Sequence, residues 1–234
     1  MIQINNLVKT FNKNTAVNIP ALTIAKAEIV GLVGNNGAGK TTTFRLMLDL
    51  LKADTGNVRI NGVDVVKSEE WKLYTGSFLD SNFLIDFFTP DEYFTFISKV
   101  YGLNTDEVKE RLAKFEKFMN GEILNQKKYI RHFSSGNRQK IGIIAAMMIY
   151  PKILILDEPF NFLDPSSQIE MKNLLQKFNS ELGTTILLSS HNIQYVMDIC
   201  NRIIILDLGH IIHDKTNLDN KAKYEIENYF ERKM

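Results

Sequence analysis

The chain has 234 residues, of which 44% are hydrophobic and 24% are charged, the composition of an ordinary soluble globular protein. Its 28 lysines and arginines offset 27 aspartates and glutamates, which excludes a global positive charge that would attract nucleic acid or an anionic membrane. A single cysteine excludes an internal disulfide and favours a reducing, cytosolic compartment.

The first half of the chain predicts a strand, a turn and a helix, followed by a helical insertion. Residues 28–33 (EIVGLV) predict a strand, and a glycine-rich turn leads to a helix at about 40–51. Six of the protein's 15 phenylalanines lie within residues 78–101, and a charged helical segment follows at 105–120. We expect these phenylalanines either to fill a core or to line an exposed groove for a partner, and the sequence favours neither.

The second half of the chain predicts a parallel sheet with covering helices. Continuous apolar runs, typical of strands buried on both faces, lie at 152–156, 184–188 and 201–207. A helix is predicted over 164–182, where Asp164 is placed to cap the first turn and Pro165 suits the first helical position. The most apolar run, 141–150, is far shorter than the ~20 residues of a membrane-spanning helix, so we expect no membrane crossing. The alternation of strands and helices predicts an α/β fold.

A glycine-rich loop lies between the first of these strands and its helix. Residues 34–41 (GNNGAGKT) match the complete G-x-x-x-x-G-K-[ST] motif, called Walker A. The glycines let successive backbone N–H groups face one anion, and the helix N-terminus adds its dipole. We expect Lys40 to contact the β- and γ-phosphates and Thr41 to offer its hydroxyl to Mg²⁺. The predicted nucleotide-binding residues are Asn35, Asn36, Gly37, Ala38, Gly39, Lys40, Thr41 and Thr42.

Two adjacent acidic residues follow the strand predicted at 152–156. We expect Asp157, at the carboxyl edge of the strand, to hold Mg²⁺ and Glu158 to polarise an attacking water. An acidic pair alone is more often a solvated turn, but together with the phosphate loop it favours a catalytic site. The loop by itself leaves open an ATPase, a GTPase and a small-molecule kinase.

Residues 133–164 (FSSGNRQKIGIIAAMMIYPKILILDEPFNFLD) resemble the core of ABC-type ATPase subunits. FSSGN at 133–137 stands where that family has its LSGGQ-like signature, NFLD at 161–164 stands at its D-loop, and His191 stands at its switch position. The resemblance covers nearly the whole chain, with the motifs in the family's order. It implies a P-loop NTPase (RecA-like) core with a mostly parallel sheet, an N-terminal antiparallel β portion and an inserted helical subdomain.

The resemblance also implies how the chain is organised. Residues 1–234 would form a single ABC-type ATPase domain. Its nucleotide-binding core would comprise 1–77 and 146–216, its helical signature subdomain 78–145, and its C-terminal helix 217–234.

Further site residues follow from the same resemblance. Phe11 would stack on adenine, which requires only an aromatic face, and His191 would contact the γ-phosphate. Ser134 and Gly136 would complete the ATP site of a second subunit in a head-to-tail dimer. The expected ligands are therefore ATP and Mg²⁺, and the expected catalytic residues are Glu158, His191 and Lys40.

The sequence departs from the family pattern at two of these positions. Ser135 replaces the second glycine of the signature, and its side chain must fit without blocking the approach of phosphate. The family's Q-loop glutamine is missing, and the alignment puts Asp80 in its place. A carboxylate there can bind Mg²⁺, but whether Asp80 replaces the glutamine functionally stays open.

As a family member, the chain is expected to be the ATP-hydrolysing subunit of an ABC transporter. It would lie in the cytoplasm, peripheral on the inner face of the cell membrane, and energise efflux of a drug, peptide or ion through separate membrane-spanning subunits. Its second partner would be another ATPase chain, identical or related. The cargo, the direction of transport and the choice between homodimer and heterodimer stay open.

The alternative is a soluble non-transport ABC-type ATPase that acts on nucleic acid or ribosomes. It is favoured only by a local basic cluster, whose other explanation is a solvated surface: Lys127, Lys128, Arg131, Arg138 and Lys140. Nucleic acid is therefore not an expected partner. A P-loop kinase is disfavoured because Glu158 and His191 suit attack by water.

Overall fold

The structure is a computed structural model that describes residues 1–216, so the helix predicted over 217–234 lies outside the described residues. The described chain divides into two compact units. The first comprises Met1–Trp71 and the described residues from Thr185 onward, and the second comprises Lys72–Thr184. The domain boundaries implied by the resemblance stay predictions.

Strands and helices alternate along residues 1–216 as the sequence predicts. In chain order they are β1 (Ile2–Phe11), β2 (Asn14–Ile24), β3 (Ile29–Val33), α1 (Lys40–Met47), β4 (Thr55–Ile60), β5 (Val63–Asp64), β6 (Thr75–Phe78), α2 (Pro90–Val100), α3 (Thr105–Ala113), α4 (Glu116–Met119), α5 (Ser135–Met147), β7 (Ile153–Leu156), α6 (Pro165–Leu182), β8 (Thr185–Ser190), α7 (Ile193–Met197), β9 (Arg202–Asp207) and β10 (His210–Thr216). Short 3-10 turns lie at Glu70–Tyr74, Ser81–Phe83 and Ile130–His132.

The first unit contains an antiparallel sheet and a mostly parallel group of strands. The antiparallel sheet has the order β2-β1-β4-β5, with its inward side chains alternating along β1. The mostly parallel strands of the first unit have the order β10-β9-β3-β8, and β3 is parallel to both β8 and β9. All residues of β3 and β8 are buried, as expected of strands covered on both faces. The predicted antiparallel β portion and parallel core are both confirmed.

A glycine in β3 lets a helix lie directly on this parallel group. A Cβ atom placed on Gly31 would lie 2.0 Å from Cγ1 of Val196 in α7. Because real side chains do not approach so closely, only glycine fits while α7 keeps this position. The contact fixes α7, which begins two residues after His191.

The second unit pairs β6 and β7 in parallel and covers them with α5. Two glycines allow this close approach. A Cβ atom on Gly76 in β6 would lie 2.0 Å from the carbonyl oxygen of Ala146, and one on Gly142 would lie 2.0 Å from Cε2 of Phe78. Residues 139–147 of α5 are all buried. The inserted helices of the sequence prediction therefore include one that is central to the core of this unit.

The predicted helix over 105–120 is broken into α3 and α4. The backbone N–H groups of Lys114 and Phe115 donate to carbonyls three residues back, at 3.2 and 3.0 Å, which tightens the last turn of α3. The side chain of Phe115 lies in the core at this turn, where it is fully buried against Phe178. Burial of an aromatic ring thus decides where the helix breaks.

Candidate active site

The phosphate loop spans residues 34–39 and ends where α1 begins. Gly37 and Gly39 have φ values of 83° and 104°, in the left-handed region that favours glycine. A Cβ atom on Gly39 would also lie 2.5 Å from the carbonyl oxygen of Ala16. The predicted motif therefore has the strand, loop and helix on which its interpretation depends.

Lys40 folds back over this loop from the first position of α1. Its Nζ atom donates to the carbonyl oxygens of Gly34 at 2.7 Å and Asn35 at 3.4 Å, and the residue is only 6% exposed. Residues 35–37 are exposed beside it, and Thr41 is half-buried. The loop thus places one ammonium group next to accessible backbone, an arrangement suited to a phosphate.

The first unit brings His191 to the same strand edge as the phosphate loop. Val33 pairs with Ser190 at the carboxyl ends of the parallel strands β3 and β8. The loop follows Val33 directly, and the exposed His191 follows Ser190. Ligands of parallel α/β sheets bind outside this edge, so both groups are placed to act on one ligand.

Phe11 lies at the end of β1, and its ring is 46% exposed. The Nζ atom of Lys9 lies 5.5 Å from the centroid of that ring. Phe11 is therefore an accessible aromatic face beside a cation, which is compatible with stacking on a base.

The second unit places the acidic pair directly after β7. The N–H group of Asp157 donates to the carbonyl oxygen of Phe78 at 3.0 Å, which fixes the chain where β6 and β7 end. Asp157 is buried. Glu158 has φ 47°, an uncommon value for a residue other than glycine, so its backbone leaves the strand direction sharply.

Asp80 lies two residues beyond β6, at the edge where β7 also ends. Its carboxylate accepts from the backbone N–H of Asn82 at 2.8 Å and from the side-chain amide of Asn82 at 3.3 Å, and so caps the turn at Ser81–Phe83. A guanidinium nitrogen of Arg138 donates to the carbonyl oxygen of Ser81 at 3.2 Å. The structure thus gives Asp80 a local capping contact, while its role toward Mg²⁺ stays a prediction.

The signature residues form the start of α5. The hydroxyl oxygen of Ser134 accepts from the N–H group of Asn137 at 3.2 Å and caps the helix. A Cβ atom on Gly136 would lie 2.6 Å from the carbonyl oxygen of Phe162, so this glycine permits close contact with the D-loop. Ser134 and Ser135 are exposed.

Two polar residues of α5 that sequence analysis did not assign to the site contact the segment after β7. Nε2 of Gln139 donates to the carbonyl oxygen of Glu158 at 3.1 Å, and Nζ of Lys140 lies 3.9 Å from the carboxylate of Asp164. Both residues are buried, so the inclusion of Lys140 in a solvated basic cluster is wrong. Helical spacing offered a clue, because residues three and four positions after Gly136 share its face.

Asp164 caps α6 as predicted, with Pro165 at the first helical position. Its carboxylate accepts from the hydroxyls of Ser166 at 2.5 Å and Ser167 at 2.6 Å, and from the N–H group of Ser167 at 2.9 Å. These bonds hold the pKa of Asp164 well below its usual range, with a smaller contribution from Lys140.

The aromatic residues of the insertion divide between the two roles left open by the sequence. Phe78, Tyr93 and Phe94 are buried in the core. Phe83, Phe87 and Phe96 are exposed, and we name these three the aromatic surface. Phe88 joins two of them, because its ring contacts those of Phe87 and Phe96 edge-on at centroid distances of 5.2 and 6.0 Å.

In residues 1–216 no helix combines the length and the apolar character needed to cross a membrane.

Comparison with known proteins identifies one family. The family model described as ABC transporter matches residues 17–161. The linearmycin resistance ATP-binding protein of Bacillus subtilis is 34% identical, over 94% of this chain and 70% of its own length. The bacitracin transport ATP-binding protein of Enterococcus faecalis is also 34% identical, over 92% and 68%. The ABC transporter ATP-binding protein NatA of B. subtilis is 36% identical, over 85% and 80%.

Solved structures agree with the fold. An ATP-binding subunit of an ABC transporter superimposes with a TM-score of 0.88 at 25% identity, covering all of both chains. A dimeric ATP-binding cassette bound to ADP and phosphate superimposes with a TM-score of 0.82 at 24% identity, over 92% of this chain and 98% of its own. At that identity the second likeness shows the fold alone.

Proposed function

The chain belongs to the ABC transporter ATPases and is an ATP-binding, ATP-hydrolysing transporter subunit, and we propose how its residues carry out that reaction. The observation that carries the proposal is the phosphate loop, whose ammonium group and helix N-terminus converge on accessible backbone. Lys40 and the loop amides bind the β- and γ-phosphates. Phe11 stacks on adenine, and His191 donates a hydrogen bond to the γ-phosphate.

Oxygen ligands at the end of the phosphate-loop motif and directly after β7 suit Mg²⁺ as the accompanying ion. The hydroxyl of Thr41 and the carboxylate of Asp157 are oxygen donors, the ligand type that Mg²⁺ prefers. Asp80 supplies a further carboxylate. When bound, Mg²⁺ neutralises charge on the β- and γ-phosphate oxygens.

Glu158 acts as the general base. It orients a water molecule and accepts its proton while the water oxygen bonds to the γ-phosphorus and the bond to the ADP oxygen breaks. Lys40 and the loop amides stabilise the negative charge that develops on the phosphoryl oxygens. The products are ADP and inorganic phosphate.

Two chains close head to tail around two nucleotides. The N-terminus of α5 presents the hydroxyl of Ser134 and the amide of Gly136 to the γ-phosphate bound by the opposite chain. The D-loop with Asp164 links the two sites. Hydrolysis releases these contacts and separates the chains, which converts chemical free energy into motion of the spanning subunits.

The catalytic assignment is tested with two substitutions in the purified full chain. Lys40→Met should weaken MgATP affinity about 10- to 100-fold, because it removes a charge-assisted contact of about 1.5–3 kcal/mol. Glu158→Gln should bind MgATP like the wild type and show no turnover in a phosphate-release assay. Glu181→Gln, an exposed acid at the end of α6, is the matched control and should hydrolyse normally. Wild-type hydrolysis by Glu158→Gln would refute the assignment.

We propose that the aromatic surface receives a helix of a membrane-spanning subunit and holds the chain at the inner face of the membrane. Phe87 is 59% exposed, whereas Phe94 in the same aromatic insertion is 1% exposed. Phe94 therefore fills the core, and the ring of Phe87 is accessible to a partner. Three exposed phenylalanines, two of them in contact with the ring of Phe88, form the kind of apolar surface that binds a partner helix.

This docking proposal is tested by co-purification of the tagged chain with its spanning subunits. Phe87→Glu should reduce the recovered spanning subunits while MgATP binding stays unchanged. Ile169→Glu, on an exposed apolar position of α6 in the same unit, should assemble normally. Unchanged assembly of Phe87→Glu would contradict the proposal, and a thermal midpoint of unfolding equal to that of the wild type would show that the loss concerns docking and not the fold.

We propose efflux of a drug, peptide or ion as the transport process. The support is that two relatives are named for linearmycin resistance and bacitracin transport. The lethal concentration of bacitracin and linearmycin should be higher in cells with the wild-type transporter than in cells with Glu158→Gln. Equal killing with both would contradict export of these antibiotics.

A further inference from the structure

A buried amide connects the signature helix to the turn that contains the proposed base. Gln139 lies in α5 and is only 6% exposed, and its Nε2 atom donates to the carbonyl oxygen of Glu158 at 3.1 Å. Burial of an amide is unfavourable unless its hydrogen bonds are replaced inside the protein. The bond to the Glu158 carbonyl oxygen therefore satisfies the buried amide and ties α5 to the turn after β7.

The backbone of Glu158 requires such support. Its φ of 47° lies in the left-handed region, which an ordinary residue occupies only when the surroundings hold it there. Two donors meet at its carbonyl oxygen, because the N–H group of Asn161 also donates at 3.1 Å. The bond from Asn161 closes the local turn, whereas the bond from Gln139 fixes the turn against a separate element. Together they set the peptide plane, and hence the direction in which the Glu158 side chain leaves the backbone.

We propose that Gln139 is a positioning residue that holds Glu158 in its catalytic orientation, an inference that rests on the proposed role of Glu158 as the base. The same helix begins at the Ser134 cap, and Gly136 lies against the carbonyl oxygen of Phe162. A displacement of α5 at its N-terminus therefore moves the donor that holds Glu158. Closure of the signature on a nucleotide is thereby linked to alignment of the base in the same chain.

Gln139→Met tests this role, because methionine has a similar length and lacks the amide donor. Misplacement of a catalytic group by about 1 Å can cost about 100-fold in rate, so kcat should fall about 10- to 100-fold. The affinity for MgATP should be unchanged, because the amide of Gln139 bonds to the carbonyl oxygen of Glu158 and Gln139 is not among the residues assigned to nucleotide binding. An unchanged kcat in a folded variant would overturn the proposal. If this variant unfolds, Gln139→Asn keeps the amide but shortens its reach, and the same loss of kcat is expected.

A double variant separates positioning from a general loss of structure. In single-turnover assays with long incubation, which measure the slow residual hydrolysis left when the base is removed, Gln139→Met should cause no further loss in the Glu158→Gln background, because its effect passes through the base. An equal fold-loss in both backgrounds would show that Gln139 acts elsewhere and would overturn the inference. Wild-type hydrolysis by Glu158→Gln alone would instead refute the proposed base. The two failures are therefore distinguishable.

Gln168 provides a matched control within the same unit. Its Nε2 atom donates to the carbonyl oxygen of Leu163 at 3.1 Å, so it too supports the segment after β7 from a helix. Gln168→Met should lower the thermal midpoint of unfolding to an extent similar to Gln139→Met while retaining kcat. Equal losses of kcat in both variants would indicate a general effect of loosening this segment and would overturn the specific role of Gln139.

Discussion

Replacing Gly142 by alanine should destabilise the second unit, although alanine is normally the better residue inside a helix. A Cβ atom at this position would lie 2.0–2.6 Å from three ring atoms of Phe78, well inside van der Waals contact, and that ring is buried. Overpacking of this kind costs about 1–3 kcal/mol. The gain in helix propensity from glycine to alanine offsets about 1 kcal/mol. Because the contact is severe, we expect a net loss of about 1–2 kcal/mol in the free energy of unfolding.

The assay is urea unfolding of the full chain, followed by circular dichroism, for Gly142→Ala, Phe78→Leu and the double variant. The clash requires the full Phe78 ring, so Gly142→Ala should be less destabilising in the Phe78→Leu background than in the wild type. Gly142→Ala as stable as the wild type, or additive losses in the double variant, would refute the packing argument.

Three further predictions concern side chains with perturbed pKa values. Asp164→Ala should destabilise the chain by about 1 kcal/mol through loss of a helix cap. The hydrogen bonds from Ser166 and Ser167 lower the pKa of Asp164 below 3.8, so the stabilisation by its carboxylate is fully present above pH 3.8. It should disappear on further acidification, where Asp164→Ala and the wild type should have the same free energy of unfolding. Burial raises the pKa of the Cys200 thiol, so a thiol reagent such as Ellman's should react only after unfolding, and rapid native labelling would contradict this. Arg202 donates twice to Asp214, each at 2.7 Å, and Arg202→Lys should lower the free energy of unfolding by no more than about 1 kcal/mol.

The sequence predicted the parts of the fold that depend on local patterns. Continuous apolar runs located β3, β7, β8 and β9, since a strand buried on both faces must be apolar throughout. The glycine-rich motif located the phosphate loop, because its glycines are needed for left-handed φ values. Asp164 and Pro165 located the start of α6 for similarly local reasons.

The features that the sequence did not predict depend on contacts between distant segments. The break between α3 and α4 follows from burial of Phe115 against Phe178, 63 positions away by their numbers. Lys140 is buried because Asp164 and the ring of Phe118 lie close to its ammonium group. The division of the aromatic insertion into core and surface likewise depends on which rings α5 and its neighbours cover. Sequence composition contains no information about that coverage.

The measurement that tests the central claim most directly is the solution mass of Glu158→Gln with and without MgATP, beside the hydrolysis rate of the wild type. Two chains that each complete the other's site should associate only when ATP is bound and persists. We predict a monomer without nucleotide, a dimer with MgATP and no turnover in the variant. A monomer at saturating MgATP, or continued hydrolysis by the variant, would contradict the account.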